Sequence, residues 1–94
     1  MPASKARFLL GQVVGTPGAV EAIEAAEESA HQLIARHVTG DWGDLDEEDK
    51  RENEFSVDNN LRILSAYTLS TGVKLWIITE ADRSATTLLL PSEY

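Results

Sequence analysis

A length of 94 residues allows one small domain and leaves no room for a second. The hydrophobic content of 43% argues against wholesale disorder, and the absence of cysteine excludes disulfide bonds and thiolate metal sites. The net charge of −8 is concentrated between Asp41 and Asp58, and direct binding of duplex nucleic acid is disfavoured for that acidic surface, since it repels phosphates. The apolar stretch near the N-terminus stops at Gly11. It is too short for a signal-peptide core or a membrane span, so we expect a cytoplasmic protein with no membrane partner.

The chain opens with the pattern of a short strand followed by a helix. Residues 7–14 predict the strand, and we expect residues 1–6 to be frayed. A threonine cap and Pro17 at the first helical position then predict a helix rich in alanine and glutamate. Its inward stripe is predicted to contain Val20, Ile23 and either Ala26 or Glu27, while Glu21, Glu24 and Glu28 face water.

A second helix is predicted from a capping box in which Ser29 is followed three residues later by glutamine. The helix should run to about Val38 and end at Gly40, where glycine supplies a left-handed conformation. His37 lies near the predicted C-terminus, a position that favours a protonated imidazole electrostatically. We therefore expect a structural role for this histidine.

The next segment predicts a third helix that lies on the surface. Asp44 is predicted to cap it, and the helix should run from about Leu45 to Val57. Leu45, Phe55 and Val57 are its clear apolar anchors, so most of its circumference should be wet. Trp42, in the turn before it, should fill the gap between the helices and a sheet.

Acidic residues are concentrated in this same segment. Nine acids lie between Asp41 and Asp58 against Lys50 and Arg51, which gives a local net charge of −7. One interpretation is a solvated helix that keeps the protein soluble, and the other is a docking surface for a basic protein partner. The predicted partner-binding residues are Asp44, Asp46, Glu47, Glu48, Asp49, Glu52 and Trp76. The acids lack the ligand spacing of a calcium-binding loop, so we expect no metal and no cofactor.

The last third of the chain predicts a three-stranded antiparallel meander. Residues 61–69 and 73–80 flank a short turn with Gly72 at its end, and a third strand over 85–90 stops at Pro91. Residues 1–94 thus form a single α+β domain. A short N-terminal strand and three helices pack on the meander in the order β-α-α-α-β-β-β, with the first strand at a sheet edge.

The register of the meander follows from the turn. Pairing Leu69 with Val73 places one face against the helices and leaves the other face partly exposed, with Arg62 opposite Glu80. Trp76 falls on the exposed face. It either marks an interface, such as a contact between two copies in a homodimer, or is covered by the third helix or the C-terminal tail.

Four segments carry a resemblance to a known family: GDWGDLDEEDK at 40–50, ILSAY at 63–67, WIITEADRS at 76–84 and LPSEY at 90–94. They resemble small uncharacterised proteins carried on bacterial plasmids and integrated mobile elements, sometimes labelled as restriction-system subunits. The likeness covers nearly the whole chain from Phe8 onward. It implies a bacterial cytoplasmic setting and a mobile-element origin, and it implies no catalytic residues. The restriction label does not fit, because so short a chain lacks a methyltransferase's cofactor motif.

Two functions are consistent with these patterns. The first is a non-enzymatic interaction protein whose acidic third helix binds a basic surface of a host or defence protein, in the manner of inhibitors that imitate nucleic-acid charge. The alternative is a metal-independent ribonuclease that uses His37, Arg62, Tyr67 and Arg83 for proton transfer and phosphate binding. The order of helices followed by a meander is similar to toxin ribonucleases of the RelE and barnase–colicin type, an analogy of fold alone. Two expectations argue against the ribonuclease. Tyr67 and Arg62 fall on opposite faces of the meander, and Arg83 is expected to point to solvent from a turn that Asp82 stabilises.

Overall fold

The computed structural model describes residues 5–94. The first four of the residues predicted to be frayed lie outside that range. The α+β class and the order of the elements are as predicted. In chain order they are β1 (Gln12–Gly15), α1 (Pro17–Ala25), α2 (Ala30–Val38), α3 (Glu47–Asn59), β2 (Ile63–Thr68), β3 (Lys74–Thr79), β4 (Ala85–Leu89) and a 3₁₀ helix (Pro91–Glu93).

The sheet has four strands and is mixed, which differs in detail from the predicted three-stranded antiparallel meander with the first strand at an edge. Its order is β1-β4-β3-β2, and β1 runs parallel to β4 at the expected edge position. The first strand begins at Gln12 rather than at residue 7. The segment before it runs beside α2 instead, because the Arg7 N–H donates to the Val38 carbonyl at 2.8 Å and Gly11 turns the chain with a φ of 64°.

The meander register is confirmed. The Leu69 N–H donates to the Val73 carbonyl at 2.8 Å, and Tyr67 lies opposite Leu75. The inner face is buried along β2 and β3, as alternation predicts. Continued by one pair, this register places Arg62 opposite Glu80, as predicted. The Arg62 guanidinium donates to the hydroxyl of Tyr94.

The first two helices begin where their caps predict. The hydroxyl of Thr16 accepts a hydrogen bond from the Ala19 N–H at 3.1 Å, and the Ser29 hydroxyl accepts one from Gln32 at 3.2 Å. The inward stripe of α1 differs from the prediction because Val20 is exposed. The residues that face the sheet are Ala19, Ile23 and Ala26, which follow the i, i+4, i+7 spacing of one helical face.

The third helix begins two residues later than predicted. Asp46 is its cap, since a side-chain oxygen accepts from the Asp49 N–H at 2.8 Å. Asp44 instead binds β2, where its carboxylate accepts from the Thr68 hydroxyl at 2.7 Å. The predicted anchor Phe55 is 60% exposed, and the buried residues of α3 are polar.

The hydrophobic core lies between α1, α2 and the inner face of the sheet. Its buried members are Ala19, Ile23, Ala26, Leu33, Tyr67, Leu69, Leu75, Ile77 and Leu88. Trp42 is buried beside this core, as predicted. Within residues 5–94, no helix is both long enough and apolar enough to cross a bilayer.

Candidate functional site

Helix α3 is attached to the edge of β2 by polar contacts. The side chain of Asn53 donates to the Leu64 carbonyl at 2.7 Å and accepts from the Leu64 N–H at 3.3 Å, so it takes the place of a neighbouring strand. The backbone carbonyl of Ser56 accepts from Arg83 at 2.9 Å. These contacts fix which side of α3 faces the domain, although the helix has little apolar surface to bury.

A third attachment is formed by Glu54. Its carboxylate accepts two hydrogen bonds from the Arg7 guanidinium, at 2.7 and 2.8 Å, and one from the Trp42 indole N–H at 2.9 Å. These donors, chiefly Arg7 and then Trp42, lower the pKa of Glu54 to about 2. Of the acids between residues 41 and 58, Glu54 is thus one that the protein neutralises itself.

The exposed acids in the first half of α3 form a charged surface. We call the four carboxylates of Glu47, Glu48, Asp49 and Glu52 the acidic face. Asp49 precedes Asn53 by four residues, so it lies where this surface borders β2. Lys50 approaches only Glu47, at 4.0 Å. Within residues 5–94 no lysine or arginine lies within ion-pair distance of Glu48, Asp49 or Glu52. The acidic face therefore carries uncompensated negative charge.

An apolar cleft adjoins the acidic face. Phe55 is 60% exposed and Leu61 is 47% exposed, and both line a depression of about 590 Å³ together with Glu48, Glu52 and Arg51. Sequence periodicity assigned Phe55 to the core and did not single out Leu61. The sequence did indicate that these two side chains are exposed, since α3 has too few apolar residues to form a buried apolar face that would include them. The cleft therefore suits an apolar side chain of a partner protein that has positively charged residues on either side of it.

The other predicted partner-binding residues lie elsewhere. Asp46 caps α3, and Asp44 is held by Thr68 on β2. Trp76 is half-buried on the outer face of β3, where its ring meets that of Tyr94 edge-on, with centroids 5.6 Å apart. The C-terminal tail thus covers part of Trp76, while Asp49 and Glu52 of the acidic face line a depression with Arg62 and Leu64.

A polar chain runs through the inner face of the sheet. His37 is 0% exposed; its Nδ1 lies 2.6 Å from the Ser65 hydroxyl and its Nε2 lies 2.9 Å from the Thr79 hydroxyl. Thr79 contacts Thr86 at 2.7 Å, and Thr86 donates to the Leu10 carbonyl at 2.8 Å. Because the Leu10 carbonyl can only accept, the hydrogen bonds of this network must run in one direction. We infer that Ser65 donates to His37, that His37 donates to Thr79 and that Thr79 donates to Thr86. His37 therefore carries its proton on Nε2.

Burial lowers the pKa of His37 to about 4. This corrects the expectation of a histidine protonated at a helix terminus, because the imidazole lies inside the protein rather than at its surface. Phe8 and Trp42 contact it edge-on, at centroid distances of 5.2 and 6.2 Å. No carboxylate stabilises a positive charge there, so the network is structural in character.

The four residues of the ribonuclease hypothesis do not converge on an open site. His37 and Tyr67 are buried, and the Tyr67 hydroxyl donates to the Asp41 carbonyl at 2.6 Å. Burial raises the pKa of Tyr67 to about 12. Arg62 is exposed next to Tyr94, and Arg83 does not point to solvent as predicted, since it donates to the carbonyls of Ser56 and Leu61. The turn before β4 is as predicted, with the Asp82 carboxylate accepting from the Ser84 N–H. The ribonuclease hypothesis stays a prediction, which incubation of the protein with RNA in EDTA would test.

The three aspartates that precede α3 bind other groups of the protein. Asp41 pairs with Arg36 at 2.6 Å, and this guanidinium holds the pKa of the carboxyl below its ordinary value. Asp44 and Asp46 accept hydrogen bonds from Thr68 and from the start of α3. No three carboxylate or imidazole groups within residues 5–94 are arranged to hold a metal ion.

Comparison with other proteins adds no relative. No protein-family model, curated protein or solved structure matches the chain. The functional argument therefore depends on the acidic face and the cleft beside it.

Proposed function

We propose that the protein is a non-enzymatic interaction protein that binds a basic protein surface through the acidic face of α3. The observation that carries the proposal is the set of three carboxylates, Glu48, Asp49 and Glu52, that are exposed and have no ion-pair partner among the described residues. Like charges on one helix repel each other by a few tenths of a kcal/mol per pair, or about 0.3 kcal/mol. A bound cationic surface would remove that repulsion.

The way α3 is held supports the same proposal. Its attachment uses Asn53, Ser56 and Glu54, and among residues 5–94 none of the carboxylates of the acidic face makes these attaching hydrogen bonds. A helix that served only for solubility would not need exposed Phe55 and Leu61 beside its charges. Apolar residues next to a charged rim are typical of protein interfaces, in which the apolar centre supplies affinity and the charges supply orientation and association rate.

The resemblance to proteins of plasmids and integrated elements suggests the biological setting. In that setting we propose a counter-defence role, in which the acidic face competes with nucleic acid for a basic surface of a host or defence protein. A row of carboxylates on a rigid helix offers such a surface the negative charge that it would otherwise receive from phosphates. The expected partner is a basic protein, and the protein itself needs no cofactor for this role.

A matched pair of charge reversals tests the proposal. Glu48→Lys with Glu52→Lys changes the acidic face, while Glu21→Lys with Glu24→Lys makes the same change in net charge at exposed positions of α1. Asp46 is kept because it caps the helix. Wild-type protein and both variants are immobilised in parallel and exposed to extract from the native host. Candidate partners are the proteins that the wild type retains, and the proposal predicts that the α1 variant retains them and the α3 variant loses them.

The affinity of each candidate partner is then measured by calorimetry at rising salt. We expect the dissociation constant to increase about tenfold between roughly 50 mM and 300 mM salt, because exposed charge pairs are screened over about 8 Å at physiological ionic strength. A partner whose affinity ignores both salt and the α3 reversal binds elsewhere, and the proposal would then be wrong. The same conclusion follows if the two variants lose binding equally.

A further inference from the structure

The two edges of the sheet differ in how their backbone groups are satisfied. The edge at β2 is covered: the Ala66 N–H donates to the Trp42 carbonyl at 3.2 Å, and the Ala66 carbonyl accepts from Asp44 at 2.7 Å. Two residues earlier, Asn53 bonds to both backbone groups of Leu64. Proteins commonly protect exposed edges in this way, since an open edge pairs with other strands.

The edge at β1 has no such cover. The N–H groups of Gln12 and Thr16 donate to carbonyls of β4 and of the residue before it, both at 3.0 Å. Alternate residues of a strand direct their backbone groups to the same side, so those of Val13 and Gly15 point away from β4. Among residues 5–94, no strand lies on that side, and all four residues of β1 are exposed.

Exposed apolar side chains gather around this edge. Eight large apolar side chains are exposed in the described part of the chain, and three of them belong to β1 or lie against it: Val13, Val14 and Val20. Val13 is 43% exposed, and Val20 lies beside Gly15. An open backbone edge and an apolar border occur together here, which is the combination that strand addition requires.

The distribution of acidic residues along the chain indicates which partner can pair with the open edge of β1. Residues 6–20 contain Arg7 and no acid, although the chain as a whole has 16 acids and a net charge of −8. Two copies of so acidic a protein repel each other over most of their surfaces. The strand β1 carries no charge of its own, and the carboxylate of Glu93 that lies just past its end accepts a hydrogen bond from the Thr16 hydroxyl at 2.6 Å. The acidic α3 lies at the opposite edge of the same sheet, against β2.

We propose that β1 pairs antiparallel with β1 of a second copy of this chain. Centred on Val14, the pairing lets the N–H and C=O of Val13 exchange hydrogen bonds with Gly15 of the other copy, about four bonds in total. The two sheets become one sheet of eight strands. With strands about 4.8 Å apart, the two β2 edges lie about 35 Å from each other, several times the screening length of about 8 Å. The acidic faces then occupy opposite ends of the dimer and do not oppose its formation.

Sedimentation equilibrium over protein concentrations of about 10 to 500 µM tests the pairing. We expect the wild-type mass to rise from 10.3 kDa towards twice that value. Val13→Lys places a charge on the edge, and Val13→Pro removes the outward N–H without touching the bonds to β4; each should raise the dissociation constant at least about tenfold. Val73→Lys is the matched control, because Val73 is 39% exposed in the hairpin that joins β2 and β3.

Three results would overturn the proposal. They are a wild-type protein that stays at 10.3 kDa at every concentration, a dimer that survives both Val13 variants, and a dimer that Val73→Lys abolishes equally. Circular dichroism spectra and thermal midpoints check that each variant is folded. We expect folded variants because position 13 is exposed. The result is independent of the partner proposed for α3, since the two surfaces lie at different edges of the sheet.

Discussion

His37 provides a direct link between acidity and the stability of the fold. Its imidazole is 0% exposed and neutral, held between Ser65 and Thr79, and burial lowers its pKa from 6.5 to about 4. The unfolded chain therefore takes up a proton on this group at a higher pH than the folded protein does. Stability from this residue is complete above pH 6.5 and is lost progressively as the pH falls from 6.5 towards 4.

The size of the effect follows from linkage. At pH 5 the unfolded imidazole is about 1.5 pH units below its pKa, and each unit corresponds to about 1.36 kcal/mol. We expect the free energy of unfolding to fall by about 2 kcal/mol between pH 7 and pH 5 from this residue alone. The carboxylate of Glu54 titrates lower, between 4.5 and about 2, so it contributes little in that interval.

The measurement is urea unfolding at pH 7, 6 and 5, followed by the fluorescence of Trp42, whose ring centroid lies 6.2 Å from that of His37. His37→Gln should be less stable at pH 7, because the two hydroxyls lose a partner of the right shape. Its loss of stability on acidification should be smaller than that of the wild type by about 2 kcal/mol. His31→Gln, at an exposed position of α2, should leave the wild-type dependence unchanged.

The reasoning would be refuted by equal pH dependence in the wild type and in His37→Gln, or by a flattened dependence in His31→Gln. A second measurement needs no variant. In the wild-type protein, the NMR shifts of the His37 ring should titrate near pH 4 rather than 6.5. A midpoint above pH 6 would show that the buried imidazole accepts a proton at no cost.

Two further predictions concern the cover of the β2 edge and use matched pairs of the same residue type. Gly43→Ala should destabilise by about 3 kcal/mol or more in urea unfolding, since φ is 77° and the new methyl group would overlap the Ala66 carbonyl. Gly72→Ala, at φ 92° with open space around it, should cost only about 1 kcal/mol; equal losses would contradict the proposed contact. Asn53→Ala should cost about 2 kcal/mol because it leaves two backbone groups of β2 unpaired, and Asn59→Ala less than about 0.5 kcal/mol. If thermal or urea unfolding ranks these two the other way, Asn53 does not serve as the edge cap.

Local patterns predicted the elements whose partners are close in sequence. The β2–β3 hairpin required only alternation and a turn ending in glycine, and its register is confirmed by the bond between Leu69 and Val73. The caps at Thr16 and Ser29 act over three residues, so they too could be predicted. The exposed acids of α3 also followed from sequence, because a helix with so few apolar residues can bury little of its surface.

The incorrect predictions involve contacts between distant residues. Asp44 and Asp46 are both suitable helix caps, and the choice between them was made by Thr68 on β2, which binds Asp44. The position of His37 near the end of α2 predicted a protonated imidazole. It is a buried neutral group because the folded chain brings Ser65 and Thr79 of the sheet into contact with it. Phe55 has the type of a core residue, but polar attachments elsewhere on α3 turn it to solvent.

The sequence alone determined the α+β class, the helix starts that depend on nearby caps, the hairpin register and the location of the negative charge. The tertiary structure decided that β1 joins β4 in parallel, which side of α3 faces outward and which edge of the sheet stays open. The physical reason is distance along the chain. Capping and alternation are set by neighbours a few residues away, whereas strand order and the desolvation of a side chain depend on groups that meet only when the whole chain folds.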